Sequence, residues 1–326
     1  MLAGLFRSNQ PAVLFVAPLL VVFLLLPTFS EPAAPQQGLM PLSALVEHLL
    51  GSASWPRHLL AILLVVALAV QLTSVVNGLE LMDRRNHLVA LLFPVLLAGL
   101  GGVSLYAPAL LGMPLVLFAL RRAWSISNTG GVLGVLFDSG FLLGIASLCY
   151  LPYAFVLVVV WASVSVIRPF AWREYILPTL GLALVFYLAW AMLNLMDRTP
   201  WQPLLTITRF NATAATMLHP TAARVGFWSI MGLVLLVAIM AFFTGYGRSV
   251  MRGKNLRSSF LAFTTALGVL ALLLGFLNGG FPPVLAAIPL AVLCSYALLN
   301  PKRSWLAEAS VVFMAGFALW LRWGSQ

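Results

Sequence analysis

Apolar runs recur along this chain from Pro11 to Trp320, and nearly all of its charges fall in the short gaps between them. A run of about 17–25 apolar residues is the length of helix that crosses hydrocarbon, and ionised groups are costly at that depth. The pattern therefore predicts an all-α, polytopic transmembrane helical bundle. Its spans fall roughly at 11–29, 59–79, 88–105, 107–121, 132–149, 152–167, 175–194, 225–246, 258–277, 282–299 and 306–321. That makes about eleven spans, within a range of about nine to twelve. Several are short, and the pairs 88–121 and 132–167 read either as two short helices around a Pro-containing bend or as one broken, re-entrant element. The stretch 39–50, short and carrying Glu47 and His48, reads as a helix lying in the interface.

Composition agrees with the pattern. Of the 326 residues 62% are apolar and 8% charged, with mean hydropathy +1.03, far from the balance of a soluble domain. One integral membrane domain, 1–326, is expected, its first helix an uncleaved span rather than a signal peptide. The net charge of +10 raises the question of nucleic acid. No stripe of Lys and Arg is long enough to follow a phosphate backbone, so no nucleic-acid partner is expected.

The cations instead sort by side. With the N-terminus in the cytoplasm, the inner connections hold Arg7, Arg84, Arg85, Arg121, Arg122, Arg168, Arg173, Arg248, Arg252, Lys254, Arg257, Lys302 and Arg303. The outer side receives Arg57, Arg198, Arg209, Arg224 and Arg322. The positive-inside rule then gives an N-in, C-out bundle with an odd number of spans. The outer connection 197–224 is too short for a domain and long enough for an amphipathic lid.

Few polar groups sit where they could do chemistry. Asp138, in Leu136-Phe137-Asp138-Ser139-Gly140, lies one to two turns into a span. A carboxylate there binds a cation, relays a proton or pairs with an Arg from another helix; alternatively it is an interfacial Asp in contact with water. Arg168-Pro169-Phe170-Ala171-Trp172-Arg173-Glu174 is the densest polar and aromatic cluster on the inner side. Two guanidiniums beside aromatic rings suit a phosphate or an anionic lipid head, with Glu174 orienting Arg173 or lying at the positive end of the next helix. Topology and anchoring account for the same residues without a substrate. Asn77 and Glu80 lie three residues apart, the spacing of one helix face, just before Asp83, Arg84 and Arg85. On the outer side Asn194, Asp197 and Arg198 close the seventh span. They line a polar substrate cavity or form an ordinary hydrated helix end.

The chain carries no HExxH, CxxC, Walker or Rossmann signature. His48, His58, His87 and His219 sit at different boundaries, which argues against a multi-His iron centre. Cys149 and Cys294 read as buried small hydrophobes. No metal, cofactor or catalytic residue is assigned, and enzymatic activity is left open.

Leu5-Phe6-Arg7-Ser8-Asn9, Leu136 to Gly144, Arg168 to Glu174, Arg257-Ser258-Ser259-Phe260 and Asn300-Pro301-Lys302-Arg303 together resemble an uncharacterised family of polytopic inner-membrane proteins from Bacteroidota, defined by a domain of unknown function. The resemblance implies a multi-pass protein of the bacterial inner membrane and carries over no site residues. It weakens a catalytic reading of Asp138, because the family pattern there is often neutral or amide-like. Some members bear the label beta-carotene 15,15'-monooxygenase, whose metal site the histidines of this chain do not provide.

Three functions fit such a bundle. The first is a carrier, flippase or polymerase-like factor for a lipid-linked or amphiphilic envelope substrate, with membrane lipids as its surroundings. The second is a non-enzymatic scaffold or assembly subunit with an envelope-protein partner. The third, a small-ion transporter, rests on Asp138 alone.

Overall fold

A computed structural model describes residues 2–8, 10–26, 40–51, 53–100, 108–126, 132–167, 172–196, 222–278, 283–299 and 304–323. Thirteen α-helices run through them: α1 (Leu2–Arg7), α2 (Val16–Leu25), α3 (Pro41–Leu50), α4 (Trp55–Gly78), α5 (Leu88–Leu100), α6 (Pro108–Trp124), α7 (Val132–Cys149), α8 (Leu157–Ile167), α9 (Trp172–Leu195), α10 (Ala222–Arg248), α11 (Met251–Asn278), α12 (Pro283–Leu299) and α13 (Ser304–Trp323). Single 3-10 segments, Pro11–Phe15 and Leu151–Val156, lead into α2 and α8.

Six of these helices, α4, α7, α9, α10, α11 and α13, are long and apolar enough to cross a membrane. Cross-links between neighbours set the direction of travel. Gln71 of α4 donates to the Pro114 carbonyl of α6 at 2.8 Å, Ser139 of α7 to Ala119, and Trp124 to Ser163 of α8. The Trp161 indole donates to Tyr175 of α9, and Phe227 of α10 covers Gly99 near the end of α5. Successive helices therefore alternate in direction. Every described connection with paired basic residues, at Arg84–Arg85 and Arg121–Arg122 and around Arg248–Lys254, lies at one end, called here the basic end.

Helices α5 and α12 form the middle. Their sequences are apolar on every side, which favours burial all round, and each has twelve buried residues. They pack on one another, with α4, α10 and α13 outside them, while α6 to α9 form a second group joined through α4 and α11. Pro94 and Pro289 interrupt the ladder of these two core helices, a defect that membrane helices tolerate when neighbours re-satisfy the freed carbonyls. The peripheral helices turn apolar faces outward, as Leu180, Leu236, Met240 and Phe313 show. Among the described residues seven exposed tryptophans, Trp55, Trp172, Trp190, Trp228, Trp305, Trp320 and Trp323, all fall within two turns of a helix end. That is where amphipathic indoles settle at lipid headgroups.

The tightest contact joins α7 to α9. A side chain at Gly140 would place its Cβ 1.9 Å from the Pro178 carbonyl oxygen, and one at Gly181 would come within 2.5 Å of the Phe137 oxygen. Small residues four apart, Gly140 and Gly144, let the two backbones touch. The same residues were read above as part of a family-like motif, with no packing role.

Several boundaries differ from the sequence reading. The run 11–29 begins as a 3-10 turn followed by a ten-residue helix. α4 starts at Trp55, so Arg57 belongs to the helix and not to a connection. α11 starts at Met251 and takes in Arg252, Lys254 and Arg257; basic composition suggested a loop, but a helix can carry cations past the hydrocarbon edge. The stretch 39–50 does contain a short helix, α3. Arg57 bolts it down, donating to Glu47 at 2.9 Å and to the carbonyls of Gly51 and Ala53.

Candidate functional site

Three of the residues singled out by sequence come to one edge of the basic end. Gly140 of α7 lies level with Pro178 of α9. Counting back along each helix, Asp138 is about 3 Å and Glu174 about 6 Å nearer the basic end. Arg122, at the close of α6, donates to the Asp138 carboxylate at 2.7 Å, and both side chains are about half exposed. Such a pair contributes about 0–1 kcal/mol, so its interest is positional. Near the start of α9 the Arg173 guanidinium lies 5.8 Å from the ring centre of Trp172, and both of these are exposed while Glu174 is buried. Asp138 therefore meets an Arg from another helix at the surface.

Asn194 is elsewhere. It lies 21 residues along α9 from Arg173, about 30 Å away, at the opposite end, where its amide donates to Trp190. It cannot share a site with Arg173. Arg168, Asp197 and Arg198 lie outside the described residues, as does most of the expected lid.

A second polar group, missed as a unit by the sequence reading, occupies the basic end between α4, α11 and α12. It begins with a backbone device. Glu80 sits in the left-handed region, φ 56°, directly after α4, and the Leu81 N–H returns to the Val76 carbonyl at 3.1 Å. This is the six-to-one bond of a Schellman cap, which favours glycine at the position Glu80 fills. Glu80 thus leaves the helix and does not share a face with Asn77. The turn drives residues 81–87 back into the bundle. There the Leu81 carbonyl accepts from Arg257 Nε (3.2 Å) and from the Tyr296 hydroxyl. Arg257 Nη2 donates to Asp83 at 2.7 Å, and its guanidinium lies 5.7 Å from the Tyr296 ring centre. Asn77 exchanges hydrogen bonds with the Asn86 backbone, and Asn86 Nδ2 reaches Met82 sulfur. A signal was present: Ser295 and Tyr296 are polar groups near the end of an otherwise apolar helix, and they need partners at that depth.

The N-terminus closes over this network. Ala3 and Gly4 N–H groups donate to the two Glu308 oxygens (3.1 and 2.7 Å), Arg7 donates to the Leu298 carbonyl, and the His87 N–H to the Phe6 carbonyl. Ala3 and Phe6 are fully buried beneath. The His87 ring is buried too, and among the described residues neither ring nitrogen has a partner. Burial therefore lowers its pKa below the ordinary 6.5, since the imidazolium would lose its hydration there. The sign follows from linkage: the unfolded chain binds the proton more readily, so this contribution is complete above pH 6.5 and is lost as pH falls below it. We expect the melting temperature in detergent to fall between pH 7.5 and 5.5, and to fall less in His87→Phe. Equal pH dependence in the two proteins would refute a role for His87.

These features define the class: an all-α polytopic membrane protein with at least six long apolar spans, whose outward apolar faces are consistent with contact to membrane lipid. No family model, no curated protein and no solved structure matches the chain.

Proposed function

We propose that this protein handles a lipid-linked or amphiphilic envelope substrate in the bacterial inner membrane, as a carrier, flippase or polymerase-like factor. The observation that supports the reading most is the α6–α7–α9 edge. Arg173, stacked on an exposed tryptophan, stands at nearly the depth of the Arg122–Asp138 pair, on a helix whose outer face is apolar. An amphiphile lying in the leaflet would present its anionic head at that height and its chains along α9. Planar guanidinium groups are suited to gripping such a head. All eleven passes, from the segment ending in α2 to α13, are taken to cross the bilayer, with the basic end cytoplasmic by the positive-inside rule. The resemblance to the Bacteroidota inner-membrane family is part of the same proposal.

Replacing Arg173 with Gln tests it. Turnover of lipid-linked intermediates in membranes should slow about tenfold, the loss expected when one charge-assisted contact of about 1.4 kcal/mol disappears. Unchanged turnover at normal protein abundance removes the substrate role and leaves Arg173 as an interfacial anchor. The scaffold alternative would then take its place. It draws support from α9, only 17% of whose apolar span is buried, which leaves a long apolar face for an envelope-protein partner.

A further inference from the structure

The corner between α10 and α11 stands apart from the α6–α7–α9 edge, and its chemistry is independent of the reading given above. Arg257 lies two turns into α11 and is 3% exposed. Its Nε and Nη2 are satisfied by Leu81 and Asp83, but Nη1 is buried and, among the described residues, has no hydrogen-bond partner. A buried, uncompensated N–H of a charged group is costly, and an orphan of this kind calls for a ligand. Nη1 faces α10 at Gly245, where a Cβ would come within 2.8 Å. The absence of a side chain at Gly245 makes the room that Nη1 occupies.

The depth of this group is informative. Arg224 and Trp228 mark the far rim of α10. The run of about twenty residues from Val225 to Thr244 spans about 30 Å, the thickness of the hydrocarbon core. Gly245 and Arg257 therefore lie where hydrocarbon gives way to headgroups. Beyond them the corner rises about 6 to 9 Å, comparable to one headgroup layer. Lys254, three residues before Arg257, shares its face of α11, and Arg248, three residues after Gly245, stands over it on α10. The chain has no acidic residue between Asp197 and Glu308, so nothing on either helix offsets these cations. Just below on α11, Leu261, one turn on from Arg257, is an exposed apolar side chain.

We infer that this corner binds the phosphodiester head of an anionic membrane lipid. A phosphate oxygen accepts from Arg257 Nη1, Lys254 and Arg248 complete the cradle, and an acyl chain lies against Leu261. Basic pockets between helices at the cytoplasmic rim have the charge and depth such heads require. Asp83, whose side chain is 69% exposed, competes with the phosphate for the same guanidinium. A free phosphate could use the same donors but would leave the apolar flank unused, which favours the lipid.

The test uses the full-length chain in neutral detergent. It is incubated with phosphatidylglycerol, phosphatidylcholine or inorganic phosphate, with retained lipid read by native mass spectrometry and thermal stabilisation read in parallel. Phosphatidylglycerol should be retained at concentrations where phosphatidylcholine is lost. The double variant R248Q/K254Q, altered at an exposed and a half-buried position, should bind it about tenfold more weakly while keeping its lipid-free melting temperature. Asp83→Asn should raise retention several-fold, because a competing carboxylate is gone. Equal retention of the two lipids overturns the inference, as does unchanged binding by R248Q/K254Q. It is also overturned if Asp83→Asn binds less, which would make Arg257 a purely structural cation, or if inorganic phosphate stabilises the protein and phosphatidylglycerol does not.

Discussion

Gly140→Val separates α7 from α9. In this variant the protein should reach membranes at a small fraction of its normal level, and what remains should melt at much lower temperature in detergent. The cause is contact between backbones. A Cβ at residue 140 would sit 1.9 Å from the Pro178 carbonyl oxygen and 2.5 Å from two further backbone atoms of that residue, well inside any van der Waals separation. No rotamer relieves a clash with main chain, so the helices must part along a line that also includes Gly144 against Val185 and Gly181 against Phe137. Overpacking commonly costs about 1–3 kcal/mol, and a rigid backbone obstacle places this case at or above the upper end. Among the described residues α9 packs mainly on α7, so little else there holds it. Gly134 supplies the control on the same helix: a Cβ there meets nothing within 4 Å, and Ala is the better helix former. Gly134→Ala should match or slightly exceed wild-type stability. Equal tolerance at both positions would mean that the close approach of α7 and α9 is not the working arrangement.

Glu47→Gln carries the second large effect. Arg57 and Glu47 form an ion pair at 2.9 Å with side chains 7% and 12% exposed, at the end of the bundle opposite the basic one. Removing one charge leaves the other buried without its counterion, a change that costs about 3–5 kcal/mol. The double variant Glu47→Leu with Arg57→Met should recover most of that loss, because two apolar groups replace a desolvated pair. Arg57 also holds the Gly51 and Ala53 carbonyls, so limited proteolysis between α3 and α4 should speed up in Glu47→Gln and in Arg57→Met. Melting temperature together with the cleavage rate separates loss of the pair from global unfolding. A Glu47→Gln protein as stable as wild type would show that water, not Arg57, compensates the carboxylate.

Membrane character was legible because hydrocarbon imposes it on composition, residue by residue. The run read at 132–149 is α7 to the residue, and that read at 282–299 differs from α12 by one. In both, apolar sequence ends where charge or turn-forming residues begin. Helix ends that project beyond hydrocarbon were harder to read. The first two turns of α11, rich in Arg, Lys and Gly, look like a loop, because water as well as lipid can solvate a helix there. The candidate site divided in the same way. Asp138, Arg173 and Glu174 were visible as rare charges at span edges, whereas contacts made across the fold were not: Arg122 is 16 residues from Asp138, and in the second polar group Leu81 is 176 from Arg257.

By itself the sequence determined the solvent, the helical class and the sorting of cations toward one end, since each follows from the transfer cost of single residues. Only the tertiary structure decided that α5 and α12 form the middle, that Gly140 and Gly181 bring two backbones into contact, and that Glu80 turns a loop inward to meet Arg257. Each of these depends on what lies opposite a residue in space. Many partners separated by tens or hundreds of residues are compatible with the same local pattern, and packing selects among them.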